Sequence, residues 1–342
     1  MADGGAEARG GAATGEQDRR AAASGGRVPD FFIVGHPKSG TTSLFRMLGR
    51  HPQLFMPMKE TRYFAPQRRS GMERFGPDQA PRDQDAYHAL FAGARADQKI
   101  GEASPTYLRS ASAAGAIASA QPGARIIAIL REPADFLRSL HLQFVHNYSE
   151  TQKDFRKAIE LEPARREGKR IPRLTRNAKG LLYSDHVRYV EQLRRFYDVF
   201  PPEQVLVLIY DDFRADNEGT VRRVLRFLEV DDAEIPVQAE DSGTLPGVRF
   251  LTLHQLTRVV TVARRNPNAR SPLLRATNLL LPPRLHSERF QRLWRRLVYT
   301  EAKRPDEQFM AELRRRFKPE VEAASEYLGR DLVTLWGYDR IS

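Results

Sequence analysis

Cysteine is absent from all 342 residues, which excludes a disulfide framework and a thiolate metal site. The absence fits a reducing compartment, and a cytoplasmic setting is expected. No stretch reaches the ~18 uninterrupted apolar residues of a membrane-spanning helix, and the N-terminus lacks the apolar core of a secretory signal. Peripheral contact with a membrane is left open. Residues 1–27 hold alanine, glycine and scattered charge without apolar periodicity, the composition of a disordered tail. Acidic residues are scarce in one region. Residues 249–318 carry 17 Lys or Arg against 5 Asp or Glu, which accounts for the whole net charge of +12. Such a segment suits an anionic partner. It has no recognised nucleic-acid motif, so no nucleic-acid partner is expected. A nucleotide with several phosphates or an anionic acceptor needs fewer assumptions; an Arg-rich solvated surface is the competing reading.

The rest reads as an ordinary core-forming chain, 41% hydrophobic and long enough for one large α/β domain or two small ones. Phe31–Val34, Arg125–Leu130 and Val205–Tyr210 are continuous apolar runs, the pattern of strands buried on both faces; Lys99–Glu102 is a weaker strand. Helices are expected over Ser110–Ala120, Pro133–His146, Leu181–Phe200 and Val221–Leu228. Pro133 suits a first helical turn, and Pro201-Pro202 stops the third helix. Residues 150–178, charged and broken by Pro163 and Pro172, read as an exposed insertion. The expected fold class is α/β, a central parallel sheet with helices on both faces. From about residue 233, Leu- and Arg-rich segments interrupted by prolines predict a helical C-terminal layer. A single domain over 28–342 is expected, with 28–232 its α/β core and 233–342 its basic helical part.

The first strand runs into Gly35-His36-Pro37-Lys38-Ser39-Gly40-Thr41-Thr42-Ser43-Leu44. A strand–loop–helix points backbone N–H groups and the positive end of a helix dipole at one spot, which makes an anion site. Gly35 and Gly40 have the spacing of the ATP-binding loop GxxxxGK[ST], but Thr41 stands where its lysine belongs and Lys38 lies inside the loop. The shift argues for a different phosphate ester, with its reacting group beside the loop.

The run Pro37–Leu44 resembles the 5′-phosphosulfate loop of sulfotransferases that use PAPS (3′-phosphoadenosine 5′-phosphosulfate). Four further stretches follow in that family's order. The resemblance implies a P-loop-like donor site at Lys38, Ser39, Gly40, Thr41, Thr42 and Ser43, with Lys38 stabilising charge on the leaving phosphate oxygen. Leu130–Ser139 resembles the family's 3′-phosphate motif and implies Arg131 and Ser139 as its ligands; a planar guanidinium suits a phosphate bidentately. Met58–Phe64 resembles the KExHFF-like segment of the Golgi heparan-type branch, which implies Glu60 as general base on the acceptor. Met58, Tyr63 and Phe64 are expected to desolvate Glu60 and raise its pKa. A salt-bridged loop carboxylate between Lys59 and Arg62 is the competing reading, and His36 is a rival base. Gly101–Tyr107 resembles a GExSPxY cleft segment. Lys303-Arg304-Pro305 stands where the family has a KGR-type loop over the 3′-phosphate. The charges are kept and the glycine is lost, so Lys303 and Arg304 remain donor-binding candidates. Leu313–Pro319 and Leu328–Asp331 resemble the branch's closing helix and terminal segment.

The implied activity is in-line transfer of a sulfuryl group from PAPS to a hydroxyl or amine of a small-molecule or glycan acceptor, without a metal. A carbohydrate or glycolipid is the first candidate. Two other readings stay open. A nucleotide kinase with an atypical loop needs an acidic Mg²⁺ ligand, for which Asp211-Asp212 is available. A non-enzymatic basic module would bind anionic glycans or RNA. His141, His146, His186 and Tyr183 fall on predicted helices near the cleft, where packing or a surface position is expected; contact with adenine or acceptor is left open for Tyr183.

Overall fold

The computed structural model describes residues 26–65, 81, 83–172, 175, 177–233, 247–248, 299–300 and 306–341. Five strands, β1 (Phe31–Gly35), β2 (Leu54–Phe55), β3 (Lys99–Ala103), β4 (Arg125–Leu130) and β5 (Val205–Ile209), form a parallel sheet in the order β2-β3-β1-β4-β5. β6 (Gly247–Val248) and β7 (Tyr299–Thr300) form a separate antiparallel pair. The helices are α1 (Thr41–Leu48), α2 (Gln84–Ala89), α3 (Ala113–Ala120), α4 (Pro133–His146), α5 (Phe155–Glu160), α6 (Glu162–Arg166), α7 (Tyr189–Tyr197), α8 (Tyr210–Ala215), α9 (Asn217–Phe227), α10 (Glu307–Leu328) and α11 (Leu332–Leu335).

Side-chain alternation explains why the strand sequences are continuously apolar. Phe32 and Val34 of β1 enter one core and Phe31 and Ile33 the other, all fully buried. The first core is closed by α3, α4, α7 and α10, the second by α1 and α9. The fold is therefore the expected α/β arrangement with helices on both faces. Gly101 is required by the strand pairing: it faces Phe31 in register, and a Cβ there would lie 2.2 Å from the Phe31 ring. From β1 the chain goes out to the β2–β3 side, whereas from β4 it goes to β5. The crevice beyond β1 and β4 is thus the switch point where ligands bind in open α/β sheets.

Several local expectations need correction. Leu181–Phe200 is not one helix. It forms two short 3₁₀ turns, Ala178–Leu181 and Tyr183–His186, before α7. The Glu162 carboxylate takes the Ser184 N–H at 2.5 Å and its hydroxyl at 2.6 Å, which competes with the helical ladder. Residues 150–178 are not simply an exposed insertion, because Glu150 and Arg165 form a buried ion pair at 2.7 Å beneath α5 and α6. The helix expected at Val221 starts earlier, since Asp216 caps it through the Gly219 N–H.

The helical C-terminal layer is present as α10 and α11; residues 249–298, 301–305 and 1–25 lie outside the described residues. Of the expected tail, Arg27 is described, and its guanidinium holds the Arg95 and Gln98 carbonyls, each at 2.7 Å. Among the described residues, no helix is long and apolar enough to cross a membrane.

Candidate active site

The loop after β1 is tied to the sheet at its root by the His36 N–H, which donates to the Ile129 carbonyl of β4 at 2.7 Å. Lys38 and Gly40 both take positive φ, 65° and 81°. Gly40 precedes α1 without a side-chain cap, so the orphan N–H groups of the first turn stay available for an anion. Glycine is needed there: a Cβ would lie 2.9 Å from the Phe213 ring and 3.3 Å from Tyr210. Gly40→Ala is expected to cost about 1–3 kcal/mol, measured as a lower urea midpoint. An unchanged midpoint would mean that Phe213 and the loop yield freely. Ser39, Thr41 and Ser43 are buried and Thr42 is half-buried.

Arg131 sits at the end of β4, against this loop. Its Nη1 donates to the Lys38 carbonyl at 2.9 Å, and its guanidinium lies 4.7 Å over the Tyr210 ring. The Tyr189 hydroxyl fixes the Arg131 carbonyl at 2.7 Å. Ser139 is half-buried on α4, the helix that leaves β4 directly after Arg131. Burial, then Arg131 and Lys59, holds the Lys38 ammonium below its ordinary pKa. Among the described residues, neither Lys38 nor Arg131 has a carboxylate partner, and buried Ser39 Oγ and Arg131 Nε have no hydrogen-bond partner. Lys303 and Arg304 lie outside the described residues.

The Glu60 segment is joined to the end of β3. Lys59 bridges to Ala103 at the end of β3, and the Glu60 N–H donates to the Ala103 carbonyl at 2.7 Å. The expected rise in its pKa is not observed. Burial would raise the carboxyl, but Lys59 and Arg62 together outweigh it and hold it below the ordinary value. The aromatic neighbours serve the core instead: Phe64 packs edge-on to Phe32, and Tyr63 stacks on Tyr87 at 4.1 Å. Glu60 bonds Lys59 Nζ at 3.2 Å and Arg62 Nη2.

Beside Glu60 opens a cleft of about 230 Å³. Pro105 and Thr106 of the fourth motif line it, as do His36, Arg62 and residues absent from the sequence reading: Arg109, Gln143, Asn147 and Asn177. Nothing in their local sequence marks these four, because they converge from three stretches of chain: Arg109, the end of α4 with Gln143 and Asn147, and Asn177. His36 is a weak rival base, since burial and then Arg109 push its imidazole down to about 3. His186 lines the cleft but bonds the Gly180 carbonyl at 2.8 Å, and buried His141 bonds the Gln152 carbonyl at 2.8 Å. Tyr183 is fully buried, with its hydroxyl donating to Glu150 at 3.3 Å, and is shut off from any ligand. His146 is half-buried in the last turn of α4. Asp211 accepts from Trp336 Nε1 at 2.9 Å and Asp212 pairs with Arg330 at 2.6 Å. Both carboxylates are therefore committed to the C-terminal segment, away from the role a kinase would give them.

A model of the sulfotransferase family matches residues 29–234, from β1 through the end of α9. The chain belongs to the sulfotransferase family. Human carbohydrate sulfotransferase 15 is 25% identical over 250 residues, covering 59% of this chain and 44% of the relative. The human bifunctional heparan sulfate N-deacetylase/N-sulfotransferase 3 is 27% identical over 210 residues, covering 60% and 22%. The chain thus spans less than half the length of either curated relative. A crystal structure of a sulfotransferase from Alicyclobacillus acidocaldarius superposes with a TM-score of 0.60 at 27% identity, covering 91% of this chain and 99% of that one. The chain thus shares its α/β frame with that structure.

Proposed function

We propose that this sulfotransferase moves a sulfuryl group from PAPS to a hydroxyl of a carbohydrate or glycolipid, with Glu60 as base. One observation carries the donor assignment. Lys38 and Arg131, two cations without a carboxylate partner among the described residues, meet above an uncapped helix start, beside the unsatisfied Ser39 Oγ and Arg131 Nε. Those are the groups a doubly phosphorylated nucleotide would satisfy. The bound donor supplies an activated sulfuryl group on a 5′-phosphate. Lys38 and the N–H groups of residues 39–43 hold the phosphosulfate, and Arg131 with Ser139 takes the 3′-phosphate. The acceptor hydroxyl attacks sulfur as the sulfur–oxygen bond to phosphate breaks. Its proton passes to a Glu60 oxygen, and the charge left on the phosphate rests against Lys38.

The carboxamides of Gln143, Asn147 and Asn177, with Thr106 and Ser149, give the cleft paired donors and acceptors, which suits a hydroxyl-rich acceptor. Labelled PAPS offered to a neutral oligosaccharide, a uronic-acid polysaccharide, a glycolipid and a phenol tests this. Transfer to the phenol alone would overturn the carbohydrate assignment. The donor assignment has its own test in calorimetry with PAP and AMP. Losing one charge-assisted contact costs ~1.5–3 kcal/mol, so Arg131→Ala is expected to weaken PAP roughly 10- to 100-fold and leave AMP nearly unchanged. Equal weakening of both nucleotides would remove the 3′-phosphate assignment.

A further inference from the structure

Beneath Glu60 lies a second carboxylate, Glu102, which is fully buried. Among the described residues it has no cationic partner; four hydroxyls surround it instead. Its Oε1 accepts from Thr61 Oγ1 at 2.5 Å, Ser104 Oγ at 2.7 Å and Tyr107 Oη at 2.8 Å, and its Oε2 accepts from Tyr87 Oη at 2.5 Å. Burial pushes the Glu102 carboxyl above its ordinary value, and the four hydroxyls oppose that by donating to it; in the ionised form the carboxylate only accepts, so each of these hydroxyls aims its proton inward. Three of them then present lone pairs outward, to successive backbone N–H groups of the base segment. Arg62 N donates to Ser104 Oγ at 3.0 Å, Tyr63 N to Thr61 Oγ1 at 3.4 Å and Phe64 N to Tyr107 Oη at 3.2 Å. The segment so held is a strained one, because Glu60 and Arg62 both take positive φ, 66° and 55°.

We propose that Glu102 is a positioning residue: through its hydroxyl relay it fixes the polarity and path of residues 60–64 and so holds the Glu60 carboxylate at the cleft mouth. The idea rests on Glu60 being the base, as inferred above. A carboxamide at 102 would bring two N–H groups into the cage: placed at Oε2 they reverse the Tyr87 hydroxyl, placed at Oε1 they turn the Thr61, Ser104 and Tyr107 protons toward the backbone N–H groups, and either way the charged acceptor that polarises the relay is lost. Loss of Thr61 Oγ1 would cut the relay at the residue next to Glu60 while sparing the buried carboxylate itself.

The test uses the full chain with Glu102→Gln, Thr61→Val and Thr61→Ser. Hydrogen exchange is read on peptides covering residues 59–64 and 36–43. PAP affinity is read by calorimetry, and turnover as PAP released from PAPS, with the acceptor class found above or with water alone. Thr61→Val and Glu102→Gln are expected to speed exchange of 59–64 about tenfold and lower kcat by up to about 10²-fold, with PAP affinity and exchange of 36–43 unchanged. Thr61→Ser is expected to restore all of these. If both variants merely lower the melting temperature, with exchange of 59–64 and kcat kept, Glu102 only packs the core and the proposal fails. It fails equally if PAP affinity drops in step with kcat, since the cage would then support the donor loop. If Glu60→Gln itself kept full turnover, the base assignment would fall, yet the exchange result would still decide whether the relay exists.

Discussion

Lys38→Ala is expected to lower kcat by about 10²–10³-fold, the range seen when one preorganised donor to a developing oxyanion is lost, while KM for PAPS rises by less than about tenfold. The ammonium matters most when the leaving phosphate oxygen gains charge, so its removal takes stabilisation from the transition state more than from the ground state. The surroundings sharpen this. Burial and the neighbouring cations Arg131 and Lys59 already lower the Lys38 pKa, so in the free enzyme the alkaline limb of kcat/KM is expected below pH 10.5, the ordinary lysine value. Arg131→Ala should move that limb back up, because it removes one of the cations that disfavour the charged form. An unchanged kcat with a raised KM would show that Lys38 only binds the donor.

Glu60→Gln keeps the shape of the side chain and removes its basicity; a loss of ~10²–10⁴ in kcat is expected, with PAP affinity nearly unchanged. Glu60 pairs with both Lys59 and Arg62, as the competing reading of a salt-bridged loop carboxylate has it, so this loss of kcat is the result that separates a base from a carboxylate that only bridges its neighbours. The sign of the pH dependence follows from those partners. A carboxyl held below its ordinary value stays ionised until the pH falls through the lowered pKa, so the acid limb of kcat/KM is expected below pH 4.5, the ordinary glutamate value. Removing Arg62 leaves burial less opposed, so Arg62→Ala is expected to shift that limb to higher pH. An acid limb that does not move in Arg62→Ala, or a normal kcat in Glu60→Gln, would place the base elsewhere.

The parts of this site that are legible in the sequence are those set by neighbours in the chain. Phe31–Val34 followed by Lys38 and Gly40 specifies strand, loop and helix within 18 residues of sequence (31–48), and the structure has all three. Arg131 after the apolar run of β4 is equally local. What escapes a linear reading depends on distant partners. Apolar spacing across Leu181–Phe200 cannot show that Glu162 captures the Ser184 N–H. The side of the segment on which Tyr63 and Phe64 lie is decided by Tyr87, Phe32 and Tyr107, whereas the pKa of Glu60 is set by its chain neighbours Lys59 and Arg62, which outweigh burial. The hydroxyl cage joins residues 61, 87, 102, 104 and 107, and the motif around Glu102 gives no hint of Tyr87. Arg109, the α4 end carrying Gln143 and Asn147, and Asn177 are far apart in sequence and meet only in the folded cleft.

The placing of β1 at the centre of the sheet has a kinetic consequence. Its two neighbours are β3 and β4, which begin at residues 99 and 125, and the loop it feeds is anchored by Ile129 and Arg131. The phosphate loop is therefore synthesised before the strand and side chains that support it. Closing chain segments of about 70 and 95 residues before any of these contacts forms is entropically costly and slow. A nascent chain emerging up to residue 120 would carry the whole loop sequence but lack the strand that holds it, with the apolar face of β1 exposed. Donor-site assembly thus waits on long-range parallel pairing, and a nucleotide present during refolding can act only after that pairing is complete.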